Sequence, residues 1–410
     1  MKIIDLFVLL LLFNAVLSGQ GKRVISGAEV LLTKEMKLIE GKRIGIITNH
    51  TAILPNDKHI IDEIFKNPSV NILTLFGPEH GIRGDAAAGE HISSSTDEKT
   101  KIPIISLYGE RRKATKEMLK DIDVLLFDIQ DVGARFYTYI STLFYGIQAA
   151  AENDIEIIVL DRPNPIGGLK VDGPVLDKEH ISFVGIAPLP IMHGMTVGEL
   201  AKYFVGEKLV GNFNNVKLTV VKMENWTRDM YFDECQLPWL SPSPNIPSLN
   251  TAVVYPGTCL IEATNVSEGR GTYNPFLTIG APFINSDELI HELSKYVIEG
   301  ISIKKVEFIP DSIPSMVNNP KQRGKLCKGI KIEVTDREKF EPVKFGFILL
   351  HSLKKLFKEF EIREKSYYRL GGKTSGYKQL ISLVHPEEIF KSWEEQLNEF
   401  LEIRKKYLLY

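Results

Sequence analysis

At 410 residues the chain is long enough for two domains, or for one large domain with additions. Its 44% hydrophobic and 25% charged content is that of a soluble globular protein, and a formal net charge of −2 offers neither a basic surface for nucleic acid nor an acidic solvating tail. Cys235, Cys259 and Cys327 are odd in number and lack metal-like spacing, so stability rests on the core rather than on a disulfide framework.

The N-terminal stretch "MKIIDLFVLLLLFNAVLSGQ" places Lys2 ahead of an uncharged run from Leu6 to Ser18. That run is about 13 residues, short of the roughly 20 that span a bilayer. Val16 and Ser18 suit a small-residue cleavage site. Residues 1–18 are therefore expected to be a signal peptide, with the mature chain periplasmic or extracellular and without a stable membrane span.

Next come the near-continuous apolar runs "RIGIITN" (43–49), "VNILTLF" (70–76), "IPIISLY" (102–108), "DVLLFDI" (123–129) and "IEIIVLD" (155–161), which predict strands of a parallel sheet covered on both faces. Between them, 57–66, 113–120 and 136–153 have helical content, the last with Tyr139, Leu143, Ile147 and Ala150 on one stripe. This alternation predicts an α/β, Rossmann-like parallel sheet domain over 23–250. The Pro-rich "LPWLSPSPNIPSLN" (237–250) marks a boundary to a smaller α/β domain over 251–410, with a cleft between the two. There "TAVVYPG" reads as a strand, 286–298 as a helix, 303–308 and 330–334 as strands, and 388–409 as one docking helix.

Each predicted strand of the first domain ends in polar residues: Asn49 and His50, Glu79 and His80, Tyr108, then Asp128, Gln130, Asp131 and Arg135, and finally Asp161, Arg162 and Asn164. In a parallel sheet these ends share one edge, the edge where open α/β folds bind ligands. No G-x-G-x-x-G follows the first strand, and "GGKTSG" (371–376) has Tyr367 where a phosphate loop needs its first glycine. No G-x-S-x-G or H-E-x-x-H occurs either, so no cofactor is expected.

Carboxylates, arginines, amides and aromatics remain, a set suited to carbohydrate chemistry. Glu79, behind Pro78 at a strand end, is a candidate general acid or a partner for Arg83. Glu90, across a Gly/Ala-rich loop, is a candidate second carboxylate or a loop anchor. Asp128, Gln130 and Asp131 suit sugar hydroxyls or helix capping, while Asp161, Arg162 and Asn164 suit ligand contact or an internal ion pair. In the second domain "CLIEATNVSEGRGTYNPF" (259–276) supplies Glu262, Asn265, Glu268 and Arg270 for a cleft. His193 precedes a helix that Thr196 and Glu199 are expected to cap as a box.

The motifs "FGPEHGIRGD…AGE", "FDIQDVGARFYTYISTL", "LDRPNPIGG", "HGMTVGELA", "PSPNIPSLNTAVVYPGTCLIEATNVSEGRGT" and "GAPFI" cover nearly all of the chain after the leader. Together they resemble the NamZ family of exo-β-N-acetylmuramidases. The resemblance implies a Rossmann-like domain and a smaller C-terminal domain forming a cleft. It implies release of N-acetylmuramic acid from the non-reducing end of peptidoglycan fragments. Glu79 in the PEHG motif is then the catalytic glutamate and Glu90 in the AGE motif the second acidic candidate. Muramic acid carries a lactyl carboxylate, for which Arg83, Arg135, Arg162 and Arg270 are the candidate cations. Two rival classes stand beside this reading: a metal-dependent hydrolase built on His50, His80, Asp85 and His91, and a non-catalytic peptidoglycan-fragment-binding protein.

Overall fold

All five apolar runs of the first half form strands of one seven-stranded sheet: β1 (Arg43–Thr48), β2 (Asn71–Gly77), β3 (Ser95–Thr96), β4 (Pro103–Ser106), β5 (Val124–Asp128), β6 (Glu156–Leu160) and β7 (Leu218–Val221). The computed structural model describes residues 22–79, 81–83, 95–109 and 111–410. The expected leader, His80, Asp85, Glu90 and His91 lie outside the described residues.

The strand order is β3-β4-β2-β1-β5-β6-β7, parallel throughout except for the short edge pair β3–β4. The order turns back between β1 and β5, the crevice that such folds offer to ligands. One face packs Ile44, Ile46, Val124 and Leu126 on the helices Gly27–Lys34 and Ile60–Phe65. The other packs Ile47, Leu125 and Phe127 on the helix Tyr139–Glu152, whose predicted stripe of Tyr139, Leu143, Ile147 and Ala150 is fully buried. Thr196 and Glu199 form the expected capping box of the helix Val197–Gly206.

The second half holds a three-stranded antiparallel sheet of β8 (Thr278–Ala281), β9 (Ile301–Phe308) and β10 (Cys327–Val334), in the order β8-β10-β9. The apolar core on the inner face of the large sheet continues into it without a break, through Tyr255 and Ile279 to Phe347 and Trp393. None of the helices among the described residues is long and apolar enough to cross a membrane.

Two expectations need correction. The "TAVVYPG" segment is not a strand but most of a helix, Leu249–Thr258, capped by Ser248 Oγ on the Thr251 amide. Its residues from Thr251 to Thr258 are all buried, so packing on every side overrides their β-branched preference. It crosses the helix Pro342–Leu356 backbone to backbone: a Cβ on Gly257 would lie 1.8 Å from the Pro342 carbonyl oxygen, and one on Gly346 would lie 2.5 Å from the Gly257 carbonyl oxygen. The docking helix at 388–409 is two helices, Pro386–Lys391 and Glu394–Lys405, separated at Ser392 and Trp393.

Beyond the second of these the chain returns to the first sheet. Tyr410 donates its hydroxyl to Asp161 Oδ2 at 2.8 Å, accepts from the Met223 amide and sets its ring edge-on to Trp226. Arg228 bonds both the Tyr410 carbonyl and Glu199, and the Leu409 amide reaches Glu199 as well.

Candidate active site

The C-terminal edge of the sheet and the second half together wall a cavity of about 480 Å³, within the range of about 300–1,000 Å³ usual for small-ligand sites. Glu79 enters from the end of β2, Tyr108 from the end of β4, and Tyr137 and Tyr139 from the approach to the 139–152 helix. Tyr255 comes from the glycine-crossed 249–258 helix, Cys259 and Glu262 from its continuation Cys259–Ala263, and Arg270 from the loop beyond.

Glu79 is half-buried and accepts a hydrogen bond from the Tyr108 hydroxyl on Oε1 at 3.1 Å. Burial, with the Glu79 charge beside it, pushes the Tyr108 hydroxyl well above the ordinary phenol value, so it stays a donor at every physiological pH. Tyr137 and Tyr139 meet edge to face at 5.0 Å, and Tyr137 meets Tyr255 in the same way at 6.0 Å. The Tyr139 hydroxyl is tied to the Pro242 carbonyl, whereas the buried Tyr137 hydroxyl has no hydrogen-bond partner among the described residues. An orphaned buried donor on a cavity wall is a group left for a ligand.

Opposite stands a four-charge cluster. Arg270 Nη2 lies 2.9 Å from Glu262, Lys321 Nζ lies 2.8 Å from Glu268, and the Arg270 guanidinium sits over the Phe276 ring. Burial pushes the Glu262 carboxyl above the carboxylate range against the pull of Arg270, with the Glu268 charge adding to the rise. Glu268, also buried, is held below that range by Lys321 and Arg270.

Of the predicted site residues, Glu79, Glu262 and Arg270 line the cavity, and Glu268 backs it through the ion cluster. Most of the others are internal wiring. Arg135 is fully buried and donates to the carbonyls of Pro174, Leu189 and Leu370 at 2.6–2.7 Å. Arg162 forms a buried bidentate pair with Asp128 at 2.5 and 2.9 Å. Arg83 is spent on Asp62 and Asp97. Gln130 donates to the Pro163 carbonyl, Asn164 to the Met195 carbonyl and Asn265 to the Glu359 carbonyl. Asn49 accepts from the amide and hydroxyl of Thr51, and its buried Nδ2 has no partner among the described residues.

Asp131 caps the Gly133 amide, and burial pushes its carboxyl up to about 7. His193 is fully buried, its Nδ1 accepting from the Met195 amide. His50 contacts the Ser241 carbonyl. The described residues that do come together as three possible metal ligands are Asp177, Glu179 and His180, and they are not among the cavity-lining side chains. Reading the residues in sequence missed Arg112, Phe183 and Tyr255 on the cavity wall. A hint existed for Arg112, which stands four positions beyond Tyr108 on the loop leaving a strand end.

Fold and site thus define an α/β protein with a carboxylate-bearing, aromatic-walled cavity at the ligand edge of its sheet. The N-terminal model of the family described as exo-beta-N-acetylmuramidase NamZ matches residues 44–250, and the C-terminal model matches 253–410. The chain is 46% identical over 390 residues to the peptidoglycan beta-N-acetylmuramidase NamZ of Bacillus subtilis (strain 168), covering 95% of this chain and 92% of that one. Crystal structures of two DUF1343 family proteins from Bacteroides fragilis NCTC 9343 superpose with TM-scores of 0.86 and 0.77, each at 34% identity over 95% of this chain and 99% of the other. The chain belongs to the NamZ family of exo-β-N-acetylmuramidases.

Proposed function

We propose that this protein is a glycosidase that releases N-acetylmuramic acid from the non-reducing end of peptidoglycan fragments, with Glu79 as its acid–base carboxyl. The observation that carries the assignment is the place of Glu79: at a parallel-strand end, on the wall of the cavity, with a neutral tyrosine hydroxyl on Oε1. A carboxyl in this setting hands a proton to the departing glycosidic oxygen, while a second group meets the oxocarbenium-like charge. Glu262 is the described carboxyl sharing the cavity with Glu79, and Glu90 stays in the proposal as the other acidic candidate. The aromatic walls of Tyr137, Tyr139 and Tyr255 give sugar faces an apolar surface, and the orphaned Tyr137 hydroxyl supplies a directed donor.

The apolar run at 6–18 supports export toward the cell wall, where such a substrate lies. The test is hydrolysis of a chromogenic β-N-acetylmuramide by the purified protein, with and without chelator, beside a Glu79→Gln variant. Release of chromophore that survives chelation and collapses in the variant supports the reading. Undiminished turnover in the variant removes Glu79 from the chemistry, and activity lost to chelator and restored by a divalent ion favours the metal-dependent rival.

A further inference from the structure

Arg112 lines the same cavity as Glu79 and holds its guanidinium 4.3 Å from the centre of the Phe183 ring. Phe183 is itself stacked on Tyr145, with ring planes 11° apart, so the platform under the cation is fixed. An aromatic face steadies a guanidinium without consuming its N–H donors. Among the described residues no carboxylate forms an ion pair with Arg112. The other cation lining the cavity, Arg270, is already held by Glu262 at 2.9 Å. Arg83, Arg135 and Arg162 are engaged by Asp62 and Asp97, by three carbonyls and by Asp128.

We infer that Arg112, seated on Phe183, is the residue that recognises the lactyl carboxylate of the substrate. This rests on the muramidase reading above and names the specificity determinant of that same site. Tyr108 and Arg112 then serve two purposes on the same wall: Tyr108 holds the catalytic carboxyl and Arg112 holds the feature that separates a muramic from a glucosamine residue. A planar fork with no ion-pair partner among the described residues binds a carboxylate through two parallel N–H donors.

The experiment compares three chromogenic β-glycosides: the N-acetylmuramide, the same compound with its lactyl acid as methyl ester, and the N-acetylglucosaminide. Wild-type protein is expected to prefer the free acid over the ester. Arg112→Ala should lower kcat/KM on the free acid by about tenfold to a hundredfold, with the acid-to-ester ratio falling toward one. Arg112→Lys, which keeps the charge but loses the fork, should fall between. Because Arg112 is exposed, both variants are expected to melt with the wild type. A folded Arg112→Ala protein that retains the wild-type acid-to-ester ratio overturns the inference, as does a wild type indifferent to esterification. A wild type inert on all three glycosides overturns the muramidase reading itself, which separates the two failures.

Discussion

The Tyr108 hydroxyl donates to Glu79 Oε1 at 3.1 Å from the end of the neighbouring strand. β2 and β4 pair in parallel with Gly77 opposite Ser106, so the two side chains leave the sheet edge from adjacent positions and are oriented by the ladder. Replacing Glu79 by Gln is expected to keep the fold and lower turnover by at least about a hundredfold, the scale of acid–base catalysis. Tyr108→Phe, which removes only the orienting donor, should cost about tenfold in kcat/KM. Steady-state rates beside thermal melts of both variants check this pair, and a Tyr108→Phe enzyme with wild-type kinetics would show that the hydrogen bond is not used in the reaction.

Arg135 behaves oppositely. Its guanidinium meets three carbonyls and, among the described residues, no carboxylate, and burial pushes its pKa down to about 9. Arg135→Met leaves three buried acceptors unsatisfied, with an expected destabilisation of about 3–5 kcal/mol. Denaturant unfolding measures it. The preference for free acid over ester should be unchanged in whatever folded protein remains.

The glycine crossing of the 249–258 and 342–356 helices has no room for a methyl group. Gly257→Ala should destabilise by about 3 kcal/mol or more, at the upper end of overpacking costs. Because Tyr255 and Cys259 flank this glycine and line the cavity, activity should fall along with the melting temperature. A variant with wild-type melting would show that the helices separate freely.

His59 gives a pH prediction. Its Nδ1 accepts from the Ile61 amide at the start of the 60–65 helix, while Nε2 bonds the Asn49 carbonyl, so the neutral ring is the one that fits. Burial pushes its pKa down to about 4. The unfolded chain therefore takes up the proton first as pH falls. The contribution is complete above about 6.5 and is lost as pH drops toward 4. Asn at this position retains a capping acceptor but does not titrate. A tenfold difference in proton affinity between folded and unfolded chain is worth about 1.4 kcal/mol. The stability gap between wild type and His59→Asn should therefore shrink by up to about 3 kcal/mol between pH 7 and pH 4. Unfolding free energies across that range test it, and a constant gap rules the histidine out.

Strands β1, β2, β4, β5 and β6 were legible because each is a short β-branched run closed by polar residues, a pattern that only a covered parallel sheet needs. The 249–258 helix was not, since a wholly buried helix loses the polar face that would reveal its period. Nor does the sequence say where an arginine's fork points. Arg162 and Arg112 both follow strand ends, but one closes on Asp128 and the other rests on a ring from residue 183, and only the folded chain decides between such distant partners. Glu79 was visible as a polar residue directly after a buried strand, whereas Tyr255 was hidden by the misread element that carries it.

The bond between Tyr410 and Asp161 joins positions 249 apart and ties residue 410 to the residue that follows β6. A growing polypeptide emerges at about 5–20 residues per second, so for many seconds after β6 and β7 have emerged the sheet lacks its closing side chain, and Trp226 lacks its cover. The first half therefore reaches its final state only after residue 410 has left the ribosome. For a chain proposed to be exported, the bond to Tyr410 is one contact that the first half lacks until the polypeptide has been made through residue 410.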